Sequence, residues 1–215
     1  MRHVNRACFA GLIVAVFLAA GVAGQTEKPR GKFSIGAGAG IFQPLGGWAD
    51  HRYAPGINQF TTGFALEFIV EYQLASWMGL AVTGGGGSLG TGEWVNYAQS
   101  LGDDITASAM MYDFSLLIRP YVLQRPAHVV KLDVGIGCFS PRGSETFQYF
   151  SYDYSFLKNG FAFVFGAEYC WFFKPKLALA CHVGLTYTDC GVKYADDFSK
   201  AVMGMPLTIG IRFHP

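Results

Sequence analysis

Charge is what this sequence has least of. Only 14% of its 215 residues are Asp, Glu, Lys or Arg, and they sum to a net +1. A soluble domain carries roughly a quarter. The shortfall argues against nucleic acid as a partner and against a broadly solvated surface. Long apolar runs are also missing. After residue 24 no apolar stretch is long enough to cross a bilayer as a helix, which takes roughly 18 residues or more. A membrane span here must therefore be made of strands, closed into a barrel so that no backbone edge meets lipid. There is no C-x-x-C, no internal repeat, no amphipathic helix of useful length and no polybasic run. What is abundant is glycine, at 28 residues, and aromatic side chains, at 16%. Together they suit sheet with close backbone packing.

The first 24 residues read as a secretory signal. Arg2, His3 and Arg6 make a basic start, Ala7 to Ala20 an apolar core, and Gly21 to Gly24 a small-residue site for cleavage before Gln25. Cys8 opens the apolar run rather than following it, which speaks against a lipoprotein. Residues 25–215 then form one domain.

The most informative stretch is Phe161 to Phe173. Phe161, Phe163, Phe165, Ala167, Tyr169, Trp171 and Phe173 alternate with Ala162, Val164, Gly166, Glu168, Cys170 and Phe172. A period of two is a strand. One face is a wall of mostly aromatic side chains; the other has little bulk and holds a carboxylate. Lipid outside and a narrow polar lumen inside would produce this pattern. Similar alternation recurs at residues 32–43, 62–74, 78–87, 105–121, 130–139, 177–187 and 203–213. That makes eight strands, an all-β, antiparallel, up-and-down transmembrane barrel. The connections alternate between long (44–60, 88–104, 140–159, 188–200) and short (75–77, 123–128, 174–176). Long loops thus gather at one end and short turns at the other. Both termini fall on the short-turn side, the periplasmic side of an outer-membrane protein.

Parity settles which face is which. With the bulky face outward, Glu67, Glu71, Asp113, Arg119, Lys131, Asp133, Glu168, His182 and Arg212 all point inward. The reverse assignment sends eight formal charges into lipid, at about 2–4 kcal/mol for each midplane Arg or Lys. Even discounted, the sum is on the order of 10 kcal/mol, as large as the stability of a whole domain. Acids and bases are mixed on the inward list. Arg119 or Lys131 could meet Asp113 or Asp133, and His182 could sit near Glu168. The expectation is an ion-pair network that plugs the lumen; the rival is a narrow water-filled conduit with the same lining.

No catalytic set, metal site or cofactor site is expected. Residues 85–90, GGGSLG, have the spacing G-x-G-x-x-G without the βαβ setting that gives it meaning. No serine stands at a telling spacing from His182. Gly36, Gly38 and Gly40 fall on the inward face, where they would admit close neighbours. Of Cys138, Cys170, Cys181 and Cys190, only a bridge involving the loop residue Cys190 is open on facing grounds, with Cys138 its best partner. The loop at 140–159 holds Phe147, Tyr149, Phe150, Tyr152, Tyr154 and Phe156. These read as a headgroup-level belt or as a contact surface for a partner.

The ending PLTIGIRF is similar to the C-terminal recognition signal of outer-membrane barrels, although His214 and Pro215 follow Phe213. Pro206 lacks a ladder donor and predicts a bulge or a frayed start in the last strand. Over residues 31–213 the chain resembles small eight-stranded outer-membrane proteins of the OmpW, OmpX and OmpA-barrel kind. That resemblance implies the bacterial outer membrane as location, with its lipid and assembly machinery as partners. An OmpW-like role implies passage of small apolar solutes; an OmpX-like role implies adhesion to a host surface ligand. A lipid-modifying barrel enzyme and a soluble lipocalin-like binder are the remaining alternatives. The second would need a well-charged exterior, which the bulky faces do not supply.

Overall fold

The computed structural model describes residues 32–46, 61–90, 106–147, 150–153, 160–188 and 202–215. The strands are β1 (Phe33–Gly46), β2 (Thr61–Ala75), β3 (Met78–Gly90), β4 (Thr106–Gln124), β5 (His128–Phe147), β6 (Phe150–Asp153), β7 (Gly160–Lys174), β8 (Leu177–Thr188) and β9 (Val202–Phe213). Every pairing is antiparallel. β1 to β5 pair in order, then β5 with β7, β7 with β8, β8 with β9, and β9 back to β1. Eight strands thus close into a ring, and the described part of the chain contains no helix.

The alternation read from the sequence sets the faces. On β2, Phe64, Leu66, Phe68, Val70 and Tyr72 lie outside, while Ala65, Glu67, Ile69 and Glu71 are buried inside. Phe68 is 61% exposed and Ile209 60%. A water-soluble barrel would reverse that order, since large apolar side chains in contiguous display mark a surface made for an apolar medium. The interior is filled instead by short side chains, by the charged residues and by a few large apolar ones, among them Phe42, Leu117 and Phe139.

Several boundaries move from the sequence reading, each for a physical reason. Pro44, placed in a loop, belongs to β1 and sits opposite Gly204. The stretch 140–147, read as loop, continues β5, and β6 folds back on it with Phe147 opposite Phe150. β7 releases the edge of β5 at Gly160, and β6 takes it up at Ser144. β4 and β5 are 19 and 20 residues long, beyond the 9–11 or so that a bilayer requires. Outside lipid neither face must be apolar, so no alternation announces the extension. The short turn at 123–128 is tighter than expected, with strand to Gln124 and again from His128. Pro206 produces no bulge: pairing with β8 lapses between Leu207 and Gly204, and the register on either side is unchanged. The irregularities lie elsewhere: one stands beside each short turn, at Gln73/Ala75, Tyr121/Leu123 and Phe172/Lys174, and a fourth opens β2 at Thr61/Phe64.

Candidate functional site in the lumen

All nine charged residues expected inside do face the lumen, and eight are buried; Asp113 is half-buried. They divide into a dense lower group near the short turns and a sparse upper region.

Arg119 on β4 is the centre of the lower group. Its Nε lies 2.6 Å from Asp133 Oδ1, its Nη1 2.9 Å from Glu71 Oε2, and its Nη2 3.2 Å from Glu168 Oε1. Lys131 Nζ reaches Glu71 at 2.6 Å and Glu168 at 3.4 Å. Arg212 on β9 pairs with Glu168 and, at 2.9 Å, with Glu67. His182 on β8 stands between Glu67, 2.6 Å from Nδ1, and Asp133, 3.0 Å from Nε2. Tyr121 donates to Glu71 at 2.6 Å, and Thr208 donates to Glu67 at 3.1 Å. Four carboxylates therefore meet three permanent cations, with His182 as the fourth basic group. The contacts join side chains from β2, β4, β5, β7, β8 and β9. Such charges stay buried because each has partners on more than one side; a lone one would be prohibitive.

Room for these side chains comes from glycine. A Cβ at Gly79 would stand 2.7 Å from both Glu71 Oε1 and the Tyr121 hydroxyl. A Cβ at Gly36 would run into Arg212. Of the glycines expected to admit close neighbours, Gly36 does so for Arg212 and Gly40 for the β9 backbone at Leu207; Gly79 is an addition.

Of the contacts expected, that of Arg119 with Asp133 forms, while that of His182 with Glu168 does not. Arg119 selects Asp133 over Asp113, which makes no ion pair among the described residues. His182 is opposite Glu168 in the strand register, yet its ring turns to Glu67 and Asp133. Glu168 is occupied from the lumen side by Arg119, Lys131 and Arg212, which are longer and permanently charged. Tyr121 joins the group as a residue not on the inward list, although it shares the parity of Arg119 and Asp113.

Above the lower group lies a small cavity of about 50 Å³. Glu67, Asp113 and His182 contribute to its lining, with Phe42, Met111 and Phe139 among the apolar residues. Phe42 and Phe139 stack across it with ring centroids 6.4 Å apart. Phe147, Phe150 and Tyr152 lie on the β5–β6 hairpin, beyond the barrel. Tyr149, Tyr154, Phe156 and Cys190 lie outside the described residues, as does the expected signal segment.

An apolar exterior, a charged interior and eight closed antiparallel strands define an integral membrane β-barrel. The chain belongs to the outer membrane protein beta-barrel domain family, which it matches over residues 12–213. This places it in the bacterial outer membrane. Among solved structures it is similar to Ail, the attachment invasion locus protein of Yersinia pestis, at 16% identity and a TM-score of 0.52, covering 86% of this chain and 100% of that one. Neisserial surface protein A is similar at 13% identity and a TM-score of 0.52, with 87% and 100% covered. OprG from Pseudomonas aeruginosa stands at 12% and 0.52, with 86% and 98% covered. At such identities the likeness is one of fold. No curated protein sequence matches the chain.

Proposed function

We propose that this protein is a non-enzymatic outer-membrane barrel whose lumen is plugged by the ion-pair lattice, and that it serves membrane integrity and the display of its loop end. One observation carries the reading: Arg119, Lys131, Arg212 and His182 tie carboxylates from several sides of the ring into a single buried cluster. An eight-stranded barrel is only just wide enough for its side chains to fill. Cross-links of this density leave no continuous path for water or ions. The β5–β6 hairpin carries the strand pairing past the closed ring at the loop end, where a surface for adhesion to a partner would stand. The His182 ring is held between two buried carboxylates within the lattice, which suits a bracing role.

A second reading, passage of a small apolar solute through the upper barrel, is favoured by the apolar side chains Phe42, Met111, Leu117, Phe139 and Val164 around the cavity. Its size weighs against it. A dry cavity that takes up benzene measures about 150 Å³, three times the space present here. Phe42 and Phe139 would have to separate first.

Single-channel recording in planar bilayers tests the proposal. The expected result is no stable opening in the wild type, and none in a Phe42→Ala/Phe139→Ala variant, because the lower lattice still closes the shaft. A steady opening of fixed size in the wild type overturns the plug. Opening only in the double variant moves the closure to the aromatic pair and favours the second reading.

A further inference from the structure

The short-turn end of the barrel carries a charge pattern that no stretch of sequence displays. Lys32 before β1, Arg125 in the β4–β5 turn, and Lys174 and Lys176 at the β7–β8 turn are all exposed. They are distant in the chain, yet the fold sets them in neighbouring sectors. β5 pairs with β7, so Arg125 and Lys174 lie on adjacent strand ends. The Phe172 amide donates to the Ala127 carbonyl at 2.8 Å, tying those two turns together. The His214 amide donates to the Lys176 carbonyl at 2.9 Å, and β9 in turn pairs with β1, which begins just after Lys32. The fourth sector, the Ser76–Trp77 turn, has no cation.

No carboxylate side chain among the described residues opposes this arc. Among the described residues Glu67, Glu71, Asp113, Asp133 and Glu168 face the lumen, and Glu145 and Asp153 lie at the opposite end. Even counting a terminal carboxylate at Pro215, the arc is a net cation. At this level are exposed aromatic residues, Trp77 in the fourth turn and Trp171 and Phe173 on the outer face of β7. His128 adds a polar contact at this level, its Nδ1 lying 2.7 Å from the Tyr169 hydroxyl. Aromatic rings of this kind settle at the headgroup level. The cations are therefore held where phosphates lie, with flexible stems that can reach them.

We infer that this arc binds the headgroups of anionic phospholipids in the leaflet around the short-turn end. Zwitterionic headgroups present the same phosphate with a compensating amine, so the excess positive charge selects for the anionic class. Each Lys or Arg near such a surface is worth about a fivefold change in partition. This inference rests on the membrane-barrel fold and is independent of whether the lumen conducts.

The test uses the folded full-length barrel in vesicles of phosphatidylcholine, in which brominated phosphatidylglycerol or brominated phosphatidylcholine quenches the tryptophans near the arc. Wild type is expected to favour phosphatidylglycerol by about fivefold or more, and to lose much of that preference in molar salt. The variant K32Q/R125Q/K174Q/K176Q, its folding verified by heat-modifiable gel migration, should show a ratio near one. K174E/K176E leaves Lys32 and Arg125 against two new acids, no net charge, and should likewise bring the ratio near one. Equal quenching by both lipids in the wild type, or a preference that survives in the quadruple variant, overturns the inference. So does wild-type binding to purified cell-wall sacculi that disappears in the quadruple variant while the lipid ratio stays unchanged. In that case the arc recognises the anionic wall polymer instead.

Discussion

The two halves of the lumen solve the same problem of filling a narrow shaft in opposite ways. The lower half uses long charged side chains that reach across the ring, so Arg119 alone contacts carboxylates from β2, β5 and β7. The upper half uses Thr83, Ser115, Thr186 and a few rings, and leaves a small cavity. A hydroxyl or a methyl cannot span a barrel; among the described residues the upper half is bridged where Phe42 meets Phe139. The difference implies unequal mechanical roles. The lower lattice couples six strands, while the upper lining is compatible with local rearrangement.

Arg119→Leu gives the sharpest break in that contrast. It strips one cation from three buried carboxylates, and removing one partner of a buried ion pair costs about 3–5 kcal/mol. Urea unfolding of the barrel in detergent, followed by gel migration, should show a loss of that size. The double variant R119L/D133N should recover part of it, because the strandedness of Asp133 is relieved; a double-mutant cycle reads the coupling. Simple additivity of the two single losses would mean that the lattice is not a coupled unit.

A smaller effect is expected where room, rather than charge, is removed. Gly79→Val would press on Glu71 and the Tyr121 hydroxyl, each 2.7 Å from the added Cβ. Overpacking of this kind costs about 1–3 kcal/mol. Gly84→Ala is the control, since its outward Cβ meets nothing nearer than 3.9 Å. Equal losses from the two substitutions would deny the lower half its special density.

Much of this arrangement is legible in the order of residues alone. Alternation gave the eight ring strands, and the refusal of lipid to accept charge gave the inward set, because both depend on a period of two and on nothing further. Partner choice was not legible. Whether Glu71 meets Arg119 or Lys131 depends on side-chain reach across the shaft; in fact it meets both. His182 shows the limit well. Its register neighbour is Glu168, but three longer cations compete for that carboxylate and the imidazole turns away. The β5–β6 hairpin was hidden for another reason: above the bilayer a strand can be polar on both faces, and SPRGSETF then looks like loop. The basic arc was invisible as a run because three separate parts of the chain supply it.

The smallest effect belongs to the upper half, and it is the one that tests the comparison most closely. Asp113 faces the cavity beside Gly85, whose Cβ would stand 2.5 Å from Oδ1. It makes no ion pair among the described residues, so its charge has none of the support that Arg119 gives to Asp133. Asp113→Asn keeps the shape and removes that charge in a partly buried, already acidic neighbourhood that includes Glu67. Stability should therefore change by no more than about 1 kcal/mol, and toward greater stability if it moves at all, since unpaired buried charge is costly. The same urea titration measures it. A loss approaching that of Arg119→Leu would require Asp113 to be anchoring a cation of its own, and the division of the lumen into a braced lower half and a lightly held upper half would fail.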